Sequence, residues 1–306
     1  MAERLMVVDA PSLYFRAFFG VPDSVTAPDG TPVNAVRGFL DFLARLVKDR
    51  GPTRLVAAMD ASWRPDFRVA ALPSYKAHRV APEGGEVVPD AIVGQVPVIE
   101  ECLRALGIAS FGVPGYEADD VIGSVVQACG GAMPADVVTG DRDLFQLVDD
   151  TRRVRVLYVG NKGVGAHEVF DQAKLSEKYG VASGDAYADF ALLRGDPSDG
   201  LPGVAGIGEK TAASLLARYG TLAGVLDALE RGDRGMTPAV AAKLRAATDY
   251  LAAAPVVVRV ARDAPLPPHD DRLPRSPADP DAFAELVRRW GLGGSADRLL
   301  AVLARP

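Results

Sequence analysis

Short apolar runs alternate with segments of helical periodicity through the first half of the chain. Such runs cover Leu5 to Val8, Leu55 to Met59, Ile108 to Val113, Ala135 to Thr139 and Arg153 to Val159. Apolar runs of this length are typical of strands buried on both faces, and their alternation with amphipathic helices is typical of parallel sheets. We therefore predict an α/β fold with a mostly parallel sheet flanked by helices.

The second half of the chain has mainly helical periodicity. Thr237 to Ala253 has the pattern of a helix, Val256 to Val260 that of a final strand, and Phe283 to Leu303 that of a terminal helical region. The stretch from Ala264 to Pro280 is rich in Pro and Asp and resembles an exposed connector. We expect three parts: a core over residues 1–178, a helical module over 179–262, and a C-terminal connector and helical segment over 263–306.

Acidic side chains follow the predicted strands at four successive strand-to-helix junctions. A single acid there is explained by helix capping. The carboxyl ends of parallel strands share one edge of a sheet, however, and clustered carboxylates cost several kcal/mol unless a cation neutralises them. The pattern predicts hard divalent cations held by oxygen. The junction acids are Asp9, Asp60, the group Glu117, Asp119 and Asp120, and the pair Asp141 and Asp143.

A basic and aromatic insertion, at about residues 61–97, follows Asp60. Its composition alone slightly favours a solvated amphipathic helix over a functional surface. Its origin beside a strand-end acid favours a surface that clamps phosphates and stacks bases. The relevant side chains are Trp63, Arg64, Phe67, Arg68, Tyr75, Lys76 and Arg79, and a glycine-containing stretch, Pro82 to Pro89, follows them.

The block from Gly195 to Thr211 combines two features. Asp196 and Asp199 lie three apart in a turn that can face the acidic edge. Gly206-Ile207-Gly208 precedes a helix, and glycines before a helix allow backbone N–H groups to approach a phosphate. Taken alone, the second feature is explained better by an ordinary glycine turn, but its place between helices, beside Lys210, favours helix-hairpin-helix contact with a DNA backbone.

Composition and charge exclude several classes of protein. No apolar run reaches the length of a membrane span and the N-terminus lacks a signal-peptide pattern, so we expect a cytoplasmic protein. Two cysteines and three scattered histidines argue against a disulfide framework, a zinc site and a histidine-based triad. A net charge of −6 argues against a nucleic-acid partner, but removing nine site acids from it leaves +3.

Together these motifs resemble the 5′-nuclease family of flap endonucleases and 5′-exonucleases, above all the N-terminal 5′-nuclease domain of bacterial DNA polymerase I. The resemblance is carried by Tyr75 to Arg79, Tyr116 to Asp120, Thr139 to Asp143 and the Gly195 to Thr211 block. It implies a PIN-like core, a helical arch and a helix-hairpin-helix-type DNA-binding module, with a monovalent cation such as K⁺ at the hairpin. No polymerase domain follows Pro306, so we expect a stand-alone enzyme.

The resemblance also implies roles for individual residues. Arg68, Lys76 and Arg79 match arch-side basic residues and are the expected catalytic side chains of the arch. Lys76 and Arg79 are expected to neutralise charge on the phosphate, and Arg64 and Arg68 to guide the 5′ strand. Gly200 stands where the family commonly has Asn. The residues expected to bind DNA are Arg64, Tyr75, Gly206, Gly208, Lys210 and Thr211, with Tyr75 stacking a base or packing the arch onto the core. The expected metal ligands are Asp9, Asp60, Glu117, Asp119, Asp120, Asp141, Asp143, Asp196 and Asp199, with Asp120 binding an ion or a metal-bound water.

The expected function is 5′-flap endonuclease and 5′-3′ exonuclease activity in replication and repair, at the bacterial nucleoid. We expect two or more Mg²⁺ or Mn²⁺ ions, a monomer, and as partner DNA with a 5′ flap, 5′ end, nick or gap. Two alternatives stay open at this point. A PIN-type ribonuclease shares the acidic core but does not need the Gly195 to Thr211 hairpin, and a DNA-binding structural protein has an inactive core.

Overall fold

The computed structural model describes residues 3–82, 84–160 and 163–305. A sheet with strand order β3-β2-β1-β4-β5-β6 forms its centre. Strands β1 to β5 are parallel and β6 is antiparallel to β5. The strands are β1 (Leu5–Asp9), β2 (Arg54–Ala58), β3 (Ala109–Phe111), β4 (Ala135–Thr139), β5 (Val154–Tyr158) and β6 (Glu168–Phe170). The predicted α/β fold with a mostly parallel sheet is confirmed.

Helices cover both faces of this sheet and predominate in the second half of the chain. Those up to β6 are α1 (Ala10–Gly20), α2 (Asn34–Arg50), α3 (Asp66–Ala71), α4 (Asp90–Val93), α5 (Val96–Leu106) and α6 (Ala118–Cys129). Those after it are α7 (Gln172–Tyr179), α8 (Gly184–Arg194), α9 (Glu209–Tyr219), α10 (Leu222–Glu230), α11 (Pro238–Ala246), α12 (Thr248–Val258), α13 (Pro280–Trp290) and α14 (Gly293–Leu303).

Two hydrophobic cores result from the alternation of side chains along β1. Leu5 and Val7 face a core that contains α6 and helices α7 to α12. Met6 and Val8 face the opposite core, with α2, α5 and α14. Successive side chains of a strand point to opposite faces, so a strand covered on both sides is apolar throughout. This double burial fixes the sheet and with it the edge where the strand-end acids collect.

The structure differs from the sequence prediction at several elements. The predicted strand at Val256 to Val260 is wrong, because α12 runs on to Val258. Leu251, Ala254, Val257 and Val258 are buried at helical spacing, so packing overrides the strand preference of the valines. The short edge strand β6 was not predicted. In the insertion at residues 61–97, α3 and α4 flank a short 3₁₀ turn at Ala77–Arg79, and position 83 lies outside the described residues.

Within the described ranges, no helix is both long and apolar enough to cross a bilayer. The predicted part boundaries at residues 178 and 262 stay predictions.

Candidate active site

A cleft of about 390 Å³ opens at the carboxyl edge of the parallel strands. The structure brings six of the nine predicted acids into its lining, namely Asp9, Asp60, Glu117, Asp119, Asp141 and Asp196. Among the predicted basic and aromatic residues, Lys76, Arg79 and Trp63 line the same cleft. The strand-end junctions and the insertion after Asp60 therefore meet at one site. Its lining also includes Phe15, Glu86, Arg142 and Tyr158, to which the sequence patterns assigned no role.

Hydroxyl groups tie the first and fourth junctions together. Asp9 ends β1 and caps α1 by accepting a hydrogen bond from the Ser12 backbone N–H (3.0 Å). Its other carboxylate oxygen accepts one from the Thr139 hydroxyl (2.6 Å), which in turn accepts from the Asp141 N–H (2.8 Å). The Ser12 hydroxyl accepts from the Gly140 N–H, and a Cβ at Gly140 would lie 2.7 Å from that hydroxyl. Glycine is therefore required for this close approach.

Ser12 and Thr139 are functional positions that the sequence interpretation missed. A signal for them exists in the sequence, since Thr139 lies directly before Gly140-Asp141 and Ser12 lies at capping distance from Asp9. Both orient carboxylates by hydrogen bonds without being charged themselves.

The second and third junctions are tied by Asp60, which accepts a hydrogen bond from the Ala118 N–H at the start of α6 (2.7 Å). Glu117, directly before α6, accepts from the Tyr75 hydroxyl (2.7 Å) and pairs with Lys76. Burial lowers the pKa of Lys76, but the charges of Glu117, Asp199 and Asp119 and the hydrogen bond to Glu117 together outweigh burial and raise the pKa overall. Lys76 therefore keeps its positive charge beside the acids.

Burial is the largest cause of raised pKa values among the cleft acids. It raises the pKa of Asp9 to about 7, and the charges of Asp141 and Asp60 add to the effect. The pKa of Asp119 is well above its usual value, first because of burial and then because of Asp141 and Asp9. Burial and neighbouring acids likewise raise the pKa of Asp143. Each shift combines the loss of hydration on burial with the negative charge of neighbouring acids, which the site only partly compensates.

The donor set suits a hard cation by its chemistry. The cleft offers carboxylate oxygens and neither histidine nor cysteine among its lining residues, which is what Mg²⁺ and Mn²⁺ prefer. Over residues 3–82, 84–160 and 163–305, however, no three such side chains are grouped to hold an ion as they stand. The acids are instead engaged by hydroxyls, backbone N–H groups and Lys76. A carboxylate that accepts one or two such hydrogen bonds keeps further lone pairs, so these contacts hold the acids in position and leave oxygen available to an ion.

The position of Asp120 differs from its predicted role as a metal ligand. Its side chain is fully buried and both oxygens are engaged. They accept two hydrogen bonds from Arg68 (2.7 and 2.6 Å) and one each from the backbone N–H groups of Ala261 (2.7 Å) and Glu117 (3.1 Å). It does not line the cleft. Asp120 therefore joins α3, α6 and the segment after α12 rather than facing a metal.

The position of Arg68 also differs from its predicted role, which was to guide DNA and act on the phosphate. Only 2% of it is exposed. Its guanidinium donates to Asp120, to Glu117 and to the Val257 carbonyl (3.1 Å). Four of its five N–H donors are used in these bonds, and the side chain does not line the cleft, because α3 places it beneath α6.

Tyr75 takes the packing alternative of its two predicted roles, whereas Arg64 differs from its predicted role. Tyr75 is 3% exposed and its hydroxyl donates to Glu117, so it packs the arch onto the core and does not stack a base. Arg64 donates to the carbonyls of Tyr75 (2.7 Å) and Pro73 (2.9 Å) and thereby fixes the shape of its own segment.

The remaining predicted residues lie at or beyond the cleft margin. Asp199 pairs with Arg79 (2.9 Å). Asp143 lies behind Asp141, and the Asp141 carboxylate accepts a hydrogen bond from the Asp143 backbone N–H (2.8 Å).

Gly208 precedes α9, and the start of that helix has no side-chain cap, so its first N–H groups are open to a ligand. Lys210 beside it is exposed, as is Gly206, whose carbonyl accepts from Lys243 (2.8 Å). Thr211 is half-buried in the first turn of α9.

The raised pKa of Asp9 predicts how stability depends on pH. A carboxyl whose pKa is raised to about 7 on folding stabilises the folded chain below about pH 4, and this contribution is lost as the pH rises through 7. In EDTA we expect Tm to fall between pH 5 and pH 8, and Mg²⁺ to restore it most at pH 8. Differential scanning calorimetry measures both. Asp9→Asn should flatten this slope, and an equally steep slope in that variant would contradict the assignment.

Comparison with known proteins gives consistent matches over nearly the whole chain. Two family models match it, a 5′-3′ exonuclease N-terminal resolvase-like domain over residues 4–180 and a 5′-3′ exonuclease C-terminal SAM fold over residues 182–281. It is 61% identical over 303 residues to a 5′-3′ exonuclease of Streptomyces coelicolor, covering 97% of this chain and 99% of that protein. It is 40% identical over 304 residues to DNA polymerase I of Mycobacterium tuberculosis, covering 98% of this chain and 32% of that protein.

Among solved structures, the bacteriophage T5 D15 flap endonuclease in a complex with DNA and metal ions has a TM-score of 0.65 at 18% identity. The match covers 99% of this chain and 100% of that chain. At this identity it supports the fold, including the helical module that follows the sheet. The predicted resemblance is confirmed, and the higher identity is to the separate 5′-3′ exonuclease rather than to the polymerase.

Proposed function

The chain belongs to the 5′-3′ exonuclease family, and on this premise we propose that it is a divalent-metal-dependent 5′ nuclease that cuts 5′ flaps and trims 5′ ends of DNA. The observation that carries the proposal is the cleft, where acids from four strand-end junctions face Lys76 and Arg79. Carboxylates beside cations are suited to hold ions and a phosphate together. The same proposal places the protein in the cytoplasm, acting as a monomer at nicks, gaps and flaps.

The acids that line the cleft are the proposed holders of two or more Mg²⁺ or Mn²⁺ ions. Bound there, the ions would supply Lewis acidity for phosphodiester hydrolysis. Asp9 and Asp141 are oriented for this by Thr139 and Ser12, and Asp60 by the start of α6. Asp143 and Asp199 are the other proposed metal ligands and lie behind the acids that line the cleft. Asp199 would have to break its ion pair with Arg79 before it could bind an ion.

Lys76 and Arg79 are the residues of this chain that we propose act on the phosphate. Lys76 stays protonated because Glu117 lies beside it, and it lines the same cleft as Asp119 and Asp141. A fixed positive charge in a secluded cleft stabilises charge that develops on a phosphate. Trp63, at the cleft wall, is placed to stack an unpaired base.

The start of α9 is the proposed contact to the duplex backbone. Gly208, Lys210 and Thr211 present open N–H groups, a cation and a hydroxyl within one turn. Helix N-termini of this kind bind phosphates without reading sequence. A monovalent cation such as K⁺ at this hairpin would compete with Lys243 for the Gly206 carbonyl.

A nuclease assay tests the proposal directly. The substrates are a 5′-labelled DNA flap duplex, the same duplex with an RNA flap, and a blunt DNA duplex, each with Mg²⁺ or with EDTA. We expect the DNA flap to be cut with Mg²⁺ and to survive in EDTA. Survival of the DNA flap with metal would refute the proposal, and faster cleavage of the RNA flap would favour a ribonuclease.

A further inference from the structure

We propose that a pocket at the amino edge of the sheet is a docking site for an acidic peptide that carries one large apolar side chain. This basic pocket has a volume of about 280 Å³ and lies between the end of α2, the segment before α13 and the end of α14. Its rim contains Lys48, Arg275 and Arg305, and its floor contains Val47, Leu273 and Leu303. None of these residues has a part in the proposed nuclease function, so the inference does not depend on it.

The basic pocket lies at the opposite edge of the sheet from the acidic cleft. Gly51, Pro52 and Thr53 line it, and Thr53 directly precedes β2. The Thr53 carbonyl accepts a hydrogen bond from the Leu273 N–H (2.9 Å), which holds the segment before α13 against the start of this strand. The acids of the cleft follow the other ends of the parallel strands. A partner bound in the basic pocket therefore leaves the cleft open to substrate.

Three cations surround the basic pocket, and no acid is among its described lining residues. Lys48 comes from the last turn of α2, Arg275 from the segment before α13, and Arg305 from the residues after α14; all three are exposed. The helix dipole alone favours a lysine at the end of α2. It does not explain the two arginines, because they come from other elements. Three positive charges that converge in a chain of net charge −6 indicate a surface for a negatively charged partner.

The positive charge of the basic pocket is not neutralised by nearby acids. Over residues 3–82, 84–160 and 163–305, none of the three rim cations forms an ion pair, because the acids close to them in sequence have other partners. Asp49, next to Lys48, pairs with Arg45 (2.5 Å), and Asp271 pairs with Arg54 (2.6 Å). The rim cations are therefore available to a ligand.

The floor of the basic pocket is apolar. Val47, Val302 and Leu303 are at most 9% exposed, and Leu273 is half-buried. An apolar centre inside a charged rim is the usual arrangement of a protein interface, in which one large side chain fills a pocket and the rim excludes water. The described lining residues include no aromatic side chain on which a nucleobase could stack. These features favour a peptide over a nucleic acid.

The size of the basic pocket limits what a partner can insert. Ligand pockets generally have volumes of about 300–1,000 Å³, so a volume of about 280 Å³ suits a short segment. A second copy of this chain would need about 800 Å² of contact on each partner for a stable interface. The occupant that fits is an extended peptide in which acids flank a residue such as phenylalanine, since clusters of basic side chains recognise acidic motifs.

Fluorescence anisotropy with labelled peptides tests the inference. The probe is the pentapeptide Asp-Asp-Phe-Asp-Asp, and its comparison is Asp-Asp-Ala-Asp-Asp, both in EDTA. The protein variants are Lys48→Glu/Arg275→Glu and the matched control Arg104→Glu/Arg234→Glu. The control makes the same change in charge at two exposed positions that do not line the basic pocket. Because neither DNA nor metal is present, the result does not depend on whether the chain cuts a flap.

We expect wild-type protein to bind the phenylalanine peptide saturably. The alanine peptide should bind at least about tenfold more weakly, because the buried aromatic contact is lost. Charge reversal at Lys48 and Arg275 should weaken binding of the phenylalanine peptide at least about tenfold, because like charges then face each other. The control variant should bind it as wild type does, and Tm should be unchanged in both variants.

No saturable binding up to about 1 mM peptide would overturn the proposal. Equal affinity for the two peptides would also overturn it, because it would show a general attraction to negative charge, as would equal losses in the pocket and control variants. A single-stranded oligonucleotide that loses affinity in the pocket variant, while the peptide does not, would make the surface a nucleic-acid site. If Lys48→Glu/Arg275→Glu does not fold, Arg275→Glu alone replaces it, and unchanged peptide binding in that variant would refute the assignment.

Discussion

Asp119→Asn is expected to reduce Mg²⁺-dependent flap cleavage at least about 100-fold, the scale of losing one preorganised electrostatic contact in an active site. Asp119 lines the cleft, and burial together with the charges of Asp141 and Asp9 raises its pKa. The variant removes a negative charge that an ion would neutralise. It also relieves repulsion among the remaining acids, so the folded protein should lose no stability in EDTA.

Single-turnover kinetics with Mg²⁺ and thermal unfolding in EDTA and in Mg²⁺ measure these two effects. Asp23→Asn is the control, because Asp23 is an exposed aspartate away from the cleft lining. We expect the Mg²⁺-induced rise in Tm to shrink in Asp119→Asn and to persist in Asp23→Asn. A wild-type cleavage rate in Asp119→Asn would remove this residue from the proposed metal set.

The position of the acidic cleft could be predicted from sequence because it depends on a regular feature. Parallel strands end at one edge; Asp9 is the last residue of β1, and Asp60 and Asp141 lie two residues after the ends of β2 and β4. Local pattern is sufficient for such residues, because the strand fixes where its last side chain lies.

The separate roles of Asp119 and Asp120 could not be predicted in this way. Neighbouring residues in an α-helix point about 100° apart, so two adjacent acids cannot share one surface. Asp119 faces the cleft, whereas Asp120 faces Arg68, a residue 52 positions earlier in the chain. The packing of α3 beneath α6 decides which of the two acids faces the cleft, and no local sequence pattern contains that information.

The basic insertion shows the same limit. Arg68, Tyr75, Lys76 and Arg79 are basic or aromatic residues of the kind found on DNA-binding surfaces. The structure buries the first two and places the second two in the cleft. Burial of an arginine requires acidic partners, and Arg68 finds them in Glu117 and Asp120. Because these partners are distant in sequence, the local pattern of the insertion predicted an exposed Arg68.

Asp120→Asn should therefore act on stability first, with a loss of about 3–5 kcal/mol in the free energy of unfolding, the usual cost of breaking a buried ion pair. Asparagine keeps an oxygen for the Ala261 N–H but leaves the Arg68 guanidinium with one anionic partner fewer in a site where neither side chain is more than 2% exposed. Urea unfolding in EDTA measures the loss. Asp119→Asn, in the same turn of α6, is the control that should show none.

A double-mutant cycle with Arg68→Met separates the ion pair from other effects of the substitution. If the pair is responsible, the two variants should be non-additive by about 1–3 kcal/mol, the range found for residues in direct contact. Additive losses would show that Asp120 stabilises the fold through its backbone partners alone. Wild-type stability in Asp120→Asn combined with lost cleavage would restore Asp120 to the metal ligands, because a residue that binds only an ion contributes nothing to the fold in EDTA.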